Sequence, residues 1–181
     1  MWTWYASRGA GLVSIVLLTA TMLLGISGIA RAASARWPRF ALSRLHRNLS
    51  MLAVAFVALH VATAVLDGYV AIRWIDVVVP FLGTYEPFWL GLGAVALDLL
   101  AAVVVTSLLR TRMGLRAWRA VHFCAYVCWP VAVVHGLGLG GADSTTGWVL
   151  ALTLTCVAAV IAGLIWRARA LTRDDTPAVT R

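Results

Sequence analysis

Long apolar runs separated by short arginine-bearing gaps organise this chain. Five of the runs, at residues 10–30, 47–67, 88–109, 118–138 and 147–166, are long enough to cross a bilayer, because a helix needs about 20 apolar residues to span a hydrocarbon core roughly 30 Å thick. A sixth apolar piece, residues 70–85 (VAIRWIDVVVPFLGTY), carries Arg73 and Asp76 and is interrupted by Pro80 and Gly83. It is too short and too charged to cross, and reads as an interfacial or re-entrant segment. The expected fold is an all-α integral membrane protein, one bundle of five transmembrane helices over residues 1–181 with a tail at 167–181.

Composition agrees with this plan. Only 12% of the residues are charged, about half the share of a soluble domain. The 181 residues hold five spans and their connections, with no length left for a second soluble domain. The net charge of +8 comes from fifteen basic residues, all arginine, against seven acidic ones. They sit in the gaps between spans, so they act as topology signals and lipid-headgroup partners, and nucleic acid is not expected as a partner.

The arginines also set the orientation. Arg31, Arg36, Arg39, Arg44 and Arg47 follow the first span, Arg110, Arg112, Arg116 and Arg119 follow the third, and Arg167, Arg169, Arg173 and Arg181 follow the fifth. Thirteen arginines thus fall on one side, against Arg8 and Arg73 on the other. The positive-inside rule puts the N-terminus outside and the C-terminus in the cytoplasm of a multi-pass plasma-membrane protein. GIARAASA resembles a signal-cleavage site, but the run Gly11 to Gly28 exceeds a signal core, and cleavage would export five arginines.

Smaller signals take their ordinary readings. Trp2, Trp4, Trp37, Trp74, Trp89, Trp118, Trp148 and Trp166 lie near span ends and read as an interfacial belt, while Trp129 lies deep in a span and reads as packing. Cys124, Cys128 and Cys156 are odd in number, lie in apolar runs, and read as packing residues. Asp98, near the middle of the third span, reads as a carboxyl held within the bundle. GLGLGG at 136–141 fits GxGxxG through Gly136, Gly138 and Gly141, but it follows a membrane helix, so it reads as a loop, or as backbone closely approaching a cofactor.

The four histidines carry the chemistry. His46 and His60 lie on the second span, 14 residues apart; His122 and His135 lie on the fourth, 13 apart. Either separation covers roughly 20 Å of helix, so each pair marks two depths in the membrane. Fourteen residues fall about 40° short of four full turns, so one face of the second span serves both depths. Thirteen residues leave His122 and His135 roughly 140° apart on an ideal helix. Pro130, between them, cannot donate to the Tyr126 carbonyl, so a kink or local unwinding is expected there, a distorted fourth helix that turns His135 back toward the partner helix.

Spans two and four run in the same direction, so His46 meets His122 at the inner depth and His60 meets His135 at the outer. Two imidazoles from opposite helices suit six-coordinate haem iron, whereas zinc needs three or four clustered ligands. Two b-type haems are therefore expected, with Arg119 at the inner side and Arg73 at the outer as candidate partners for their carboxylates. Free polar histidines in a haem-free scaffold or small transporter, and a quinone-linked cytochrome b, stand as alternatives.

HRNLSMLAVAFVALH (46–60) and HFCAYVCWPVAVVH (122–135), two spans apart, resemble the ferric reductase-like transmembrane domain family, which includes yeast-type ferric reductases and the membrane part of NADPH oxidases. The resemblance covers residues 10–166. It implies that His46, His60, His122 and His135 are axial haem ligands, and that electrons flow outward from a cytosolic flavin to an acceptor at the outer face. The chain departs from that pattern in having five spans instead of six and no FAD and NAD(P)H domain after Trp166. It is more similar to short bacterial members, oxidoreductase haem subunits that draw on a separate flavoprotein or a quinol.

Overall fold

A computed structural model describes residues 2–29, 38–68 and 70–174. Arg31, Arg36, Trp37 and Arg181 lie outside the described residues. The described chain is entirely helical, with no strand, and five of its helices are long and apolar enough to cross a membrane. In order they are α1 (Trp2–Ile29), α2 (Arg39–Leu66), the short α3 (Trp74–Val78), α4 (Pro87–Leu108), α5 (Leu115–His122), α6 (Ala125–Leu139), the short α7 (Gly141–Thr145) and α8 (Gly147–Asp174), with a 3-10 turn at Arg110–Arg112.

The helix ends follow local chemistry. Pro38 precedes α2 and Pro87 opens α4, where its missing N–H would be unsatisfied anyway. Gly141 and Gly147 bracket α7 at φ +60° and +61°, left-handed conformations that glycine adopts without a Cβ clash. Three helices outrun the apolar stretches that announce them, and α2 does so by starting at Arg39, eight residues before its run. α1 begins at Trp2, where Thr3 donates to Asp67 (3.1 Å) and Arg8 pairs with Asp143 (2.5 Å) and the Gly140 carbonyl, so polar contacts continue the helix past the apolar run. α8 extends through the arginines to Asp174, into the stretch expected as tail.

The segment at 70–85 lies against α4 through α3. Asp76 caps it: the carboxylate accepts from the Arg73 amide (3.0 Å) and from its guanidinium (2.7 and 3.2 Å). The glycine-rich stretch expected as a loop is helical through Leu139, and Gly138 lies directly beneath the Trp89 ring. Glycine there lets α6 approach α4.

Packing splits the bundle into two contacting sets. α1 packs along α2, α8 and the near side of α6, while α4 packs along α6. Met22, Ile26, Trp129, Val133, Cys156 and Val160 form the core where α1, α6 and α8 meet. Trp129 is buried there, as expected of a packing residue, and its indole N–H donates to Thr19 Oγ1 at 3.0 Å. Elsewhere Leu52, Leu59, Val105, Val127, Leu154 and Ile161 are exposed, as lipid-facing side chains are. Among the described residues α2 has no extensive contact with α4, α5 or α6, so a gap separates it from them. The histidines meet across that gap.

Candidate functional site

His46 and His60 project from α2, and His122 and His135 from the end of α5 and from α6. The structure brings His46 to His122 with ring centres 6.2 Å apart, and His60 to His135 with ring centres 6.3 Å apart. All four rings are half-buried. No hydrogen bond joins the two rings of either pair among the described residues. The spacing suits a metal between two imidazoles. A bond of about 2.0 Å to each nitrogen, with about 1.1 Å from nitrogen to ring centre, puts opposed rings roughly 6.2 Å apart.

The fourth span reaches this arrangement by a local overwinding. Between α5 and α6 the amides of Cys124, Tyr126 and Val127 donate to carbonyls three residues back, at 2.9, 3.0 and 3.0 Å. Such a turn advances about 120° per residue against 100° in an α-helix, so three or four residues recover roughly 60–80° of the 140° deficit between His122 and His135. About 60–80° remains, closer to the offset of about 40° between His46 and His60 than the regular helix would give. A kink or unwinding is expected at Pro130; the helix is instead wound more tightly, one to two turns earlier, around Tyr126, whose carbonyl is the one the proline ring crowds.

Three of the rings are fixed by backbone carbonyls. His60 Nδ1 lies 2.7 Å from the Ser7 carbonyl, His46 Nδ1 3.1 Å from that of Thr21, and His135 Nδ1 2.8 Å from that of Trp89. A carbonyl only accepts, so each Nδ1 carries the proton and each Nε2 keeps its lone pair. This is the state of a metal-ligating histidine, whose other ring nitrogen donates to an outer acceptor. The Ser7 hydroxyl adds a bond to the His60 carbonyl at 3.2 Å.

A glycine stands one helical turn beyond each acceptor: Gly11, Gly25 and Gly93. A Cβ on Gly11 would lie 3.0 Å from the His60 ring, one on Gly25 3.7 Å from the His46 ring, and one on Gly93 2.5 Å from the His135 ring. Of these six residues, sequence reasoning read Trp89 as part of the interfacial belt and gave the other five no role beside a histidine. A signal was present: Ser7-x3-Gly11 and Thr21-x3-Gly25 recur at a 14-residue interval, the separation of His46 and His60.

His122 differs. Its Nδ1 is buried without a partner, as are Trp118 Nε1 and Thr21 Oγ1, and these are the three such atoms among the described residues. Each unpaired buried group costs about 1–3 kcal/mol, and all three belong to the His46–His122 pair or to residues touching it. Trp118, read from sequence as part of the interfacial belt, stacks on His122 with ring centres 5.0 Å apart and planes 27° from parallel.

The other singled-out residues are placed as follows. Arg73 is engaged by Asp76, whose side chain is only 1% exposed, and its hydrogen bonds hold the Asp76 carboxyl below the usual carboxylate range. Arg119 is exposed on α5, one turn before His122. Cys128 is buried and its thiol donates to the Ala96 carbonyl at 3.2 Å. Asp98, expected to be held within the bundle, is exposed on α4. No group of three or more histidine, cysteine or acidic side chains gathers among the described residues, so the ligand-like groups are the histidine pairs alone.

No curated protein and no solved structure matches the chain. Residues 10–138, well over half of the chain and inclusive of all four histidines, match the family model of the ferric reductase like transmembrane component, and the chain belongs to that family.

Proposed function

We propose that this chain carries electrons across the bilayer as the membrane subunit of a ferric reductase-like oxidoreductase system, using two b-type haems. His46 and His122 hold one haem and His60 and His135 the other. The observation that supports this most is the two imidazole pairs with ring centres 6.2 and 6.3 Å apart, three of the four Nδ1 atoms being turned onto carbonyls so that Nε2 is left to ligate. When bound, the haem irons supply reversible one-electron oxidation and reduction.

The protein's share is to hold each ring, keep the pairs roughly 20 Å apart along the helices, and surround them with apolar side chains. The arginine-rich end, with Arg44, Arg47, Arg110 and Arg116, faces the cytoplasm of a bacterial plasma membrane, and the N-terminus of α1 lies outside. Electrons enter at the His46–His122 end from a separate flavoprotein or a quinol and leave at the His60–His135 end to an outer acceptor. Arg119 is the cation offered to haem carboxylates at the inner end. Arg73 is offered at the outer end, where it already holds Asp76.

A reduced-minus-oxidised spectrum and a haem assay on the chain purified after haem-replete expression test this reading. Two low-spin haems per chain are expected. A chain without a Soret band would refute the reading and leave a haem-free scaffold or transporter.

A further inference from the structure

Three histidines share one holding device, and the fourth lacks it. For His46, His60 and His135 a neighbouring helix offers a carbonyl at one position and a glycine four residues on, so the ring lies against bare backbone while Nδ1–H reaches the carbonyl. The His122 Nδ1 is left buried and unpaired.

What His122 has instead is an aromatic face. Trp118, four residues earlier on the same side of α5, lies nearly parallel to it, and the Arg110 guanidinium sits 4.5 Å from the centre of the Trp118 ring. A cation over an indole attracts the π face, so Arg110 steadies Trp118 as Trp118 steadies the imidazole. We propose that Trp118, held by Arg110, is the positioning residue of His122 and takes the place of the carbonyl–glycine device found at the other three ligands. This rests on the haem reading above. The His46–His122 site then depends on one backbone acceptor and one stack, whereas the His60–His135 site depends on two backbone acceptors.

The test uses the full chain purified with haem, its low-spin ferric signals recorded by low-temperature electron paramagnetic resonance. These signals report how the two axial imidazoles are turned. In Trp118→Ala one of the two signals is expected to shift or vanish, with a high-spin fraction appearing, while the other stays unchanged. Trp118→Phe, which keeps a stacking ring, restores the native pair of signals, and Arg110→Gln shifts the same signal as Trp118→Ala by a smaller amount. Two native signals in Trp118→Ala overturn the proposal, as does equal damage to both haems, or damage in Trp118→Phe matching that in Trp118→Ala. Wild-type protein without low-spin signals overturns the haem reading itself.

Discussion

At the scale of single residues, the site is set by what stands behind each imidazole. The three glycines differ in how much room they leave, which gives a graded expectation. In Gly93→Ala the new Cβ falls 2.5 Å from His135 Cε1, a contact the ring can relieve only by leaving the Trp89 carbonyl. In Gly25→Ala the nearest atom of His46 is 3.7 Å away, ordinary contact distance. Gly11→Ala, at 3.0 Å from His60 Nδ1, lies between. The haem-to-protein ratio is therefore expected to fall most in Gly93→Ala, through loss of the His60–His135 haem. It is expected to fall less in Gly11→Ala and to stay unchanged in Gly25→Ala. Equal losses in all three would show that crowding of the ring is not what glycine prevents. The histidines themselves were legible because an ionisable side chain in a span is costly enough to mark function. Their glycines were hidden, since glycine is common in membrane helices and its neighbour on another helix cannot be read from one chain.

At the scale of elements, the five spans were legible from hydropathy alone, because the bilayer imposes a length that short loops cannot mimic. Their ends were not. α1 and α8 run on through Arg8 and the arginines after Trp166, held by hydrogen bonds that hydropathy does not see. The fourth helix shows the same division. An irregularity there was legible from Pro130, but the form it takes, a tightened turn at 121–127, was not. Pro130→Ala returns an amide to the Tyr126 carbonyl and permits regular winding, which would swing His122 back by roughly 60–80° relative to His135. The His60–His135 pair keeps its carbonyls and glycines in this variant, so the expected product binds one haem in place of two. A full haem complement in Pro130→Ala would show that packing, and not the proline, sets the overwound turn.

At the scale of the molecule, the arginine asymmetry and the exposed carboxyl of Asp98 make separate claims. If the arginine-rich end faces the cytoplasm, a membrane-impermeant maleimide labels Thr145→Cys in intact cells, and labels Arg169→Cys only after the membrane is opened. The reverse pattern would turn the proposed electron path around. Asp98 lies near the middle of α4, exposed together with Ala101, Ala102 and Val105 on one face of the helix, and makes no hydrogen bond or ion pair among the described residues. That face points roughly 140° away from Gly93, so it does not look toward the histidines. A carboxylate at the bilayer centre costs about 2.5–3.5 kcal/mol on insertion scales. Asp98→Leu removes that cost and is expected to raise the yield and thermal stability of the membrane-inserted chain while leaving its haem content as it was. A lower stability in Asp98→Leu would mean that the carboxyl is satisfied in the membrane by a group from another molecule. A lower haem content at unchanged stability would place Asp98 in the electron-carrying machinery, against the direction its helix face gives it.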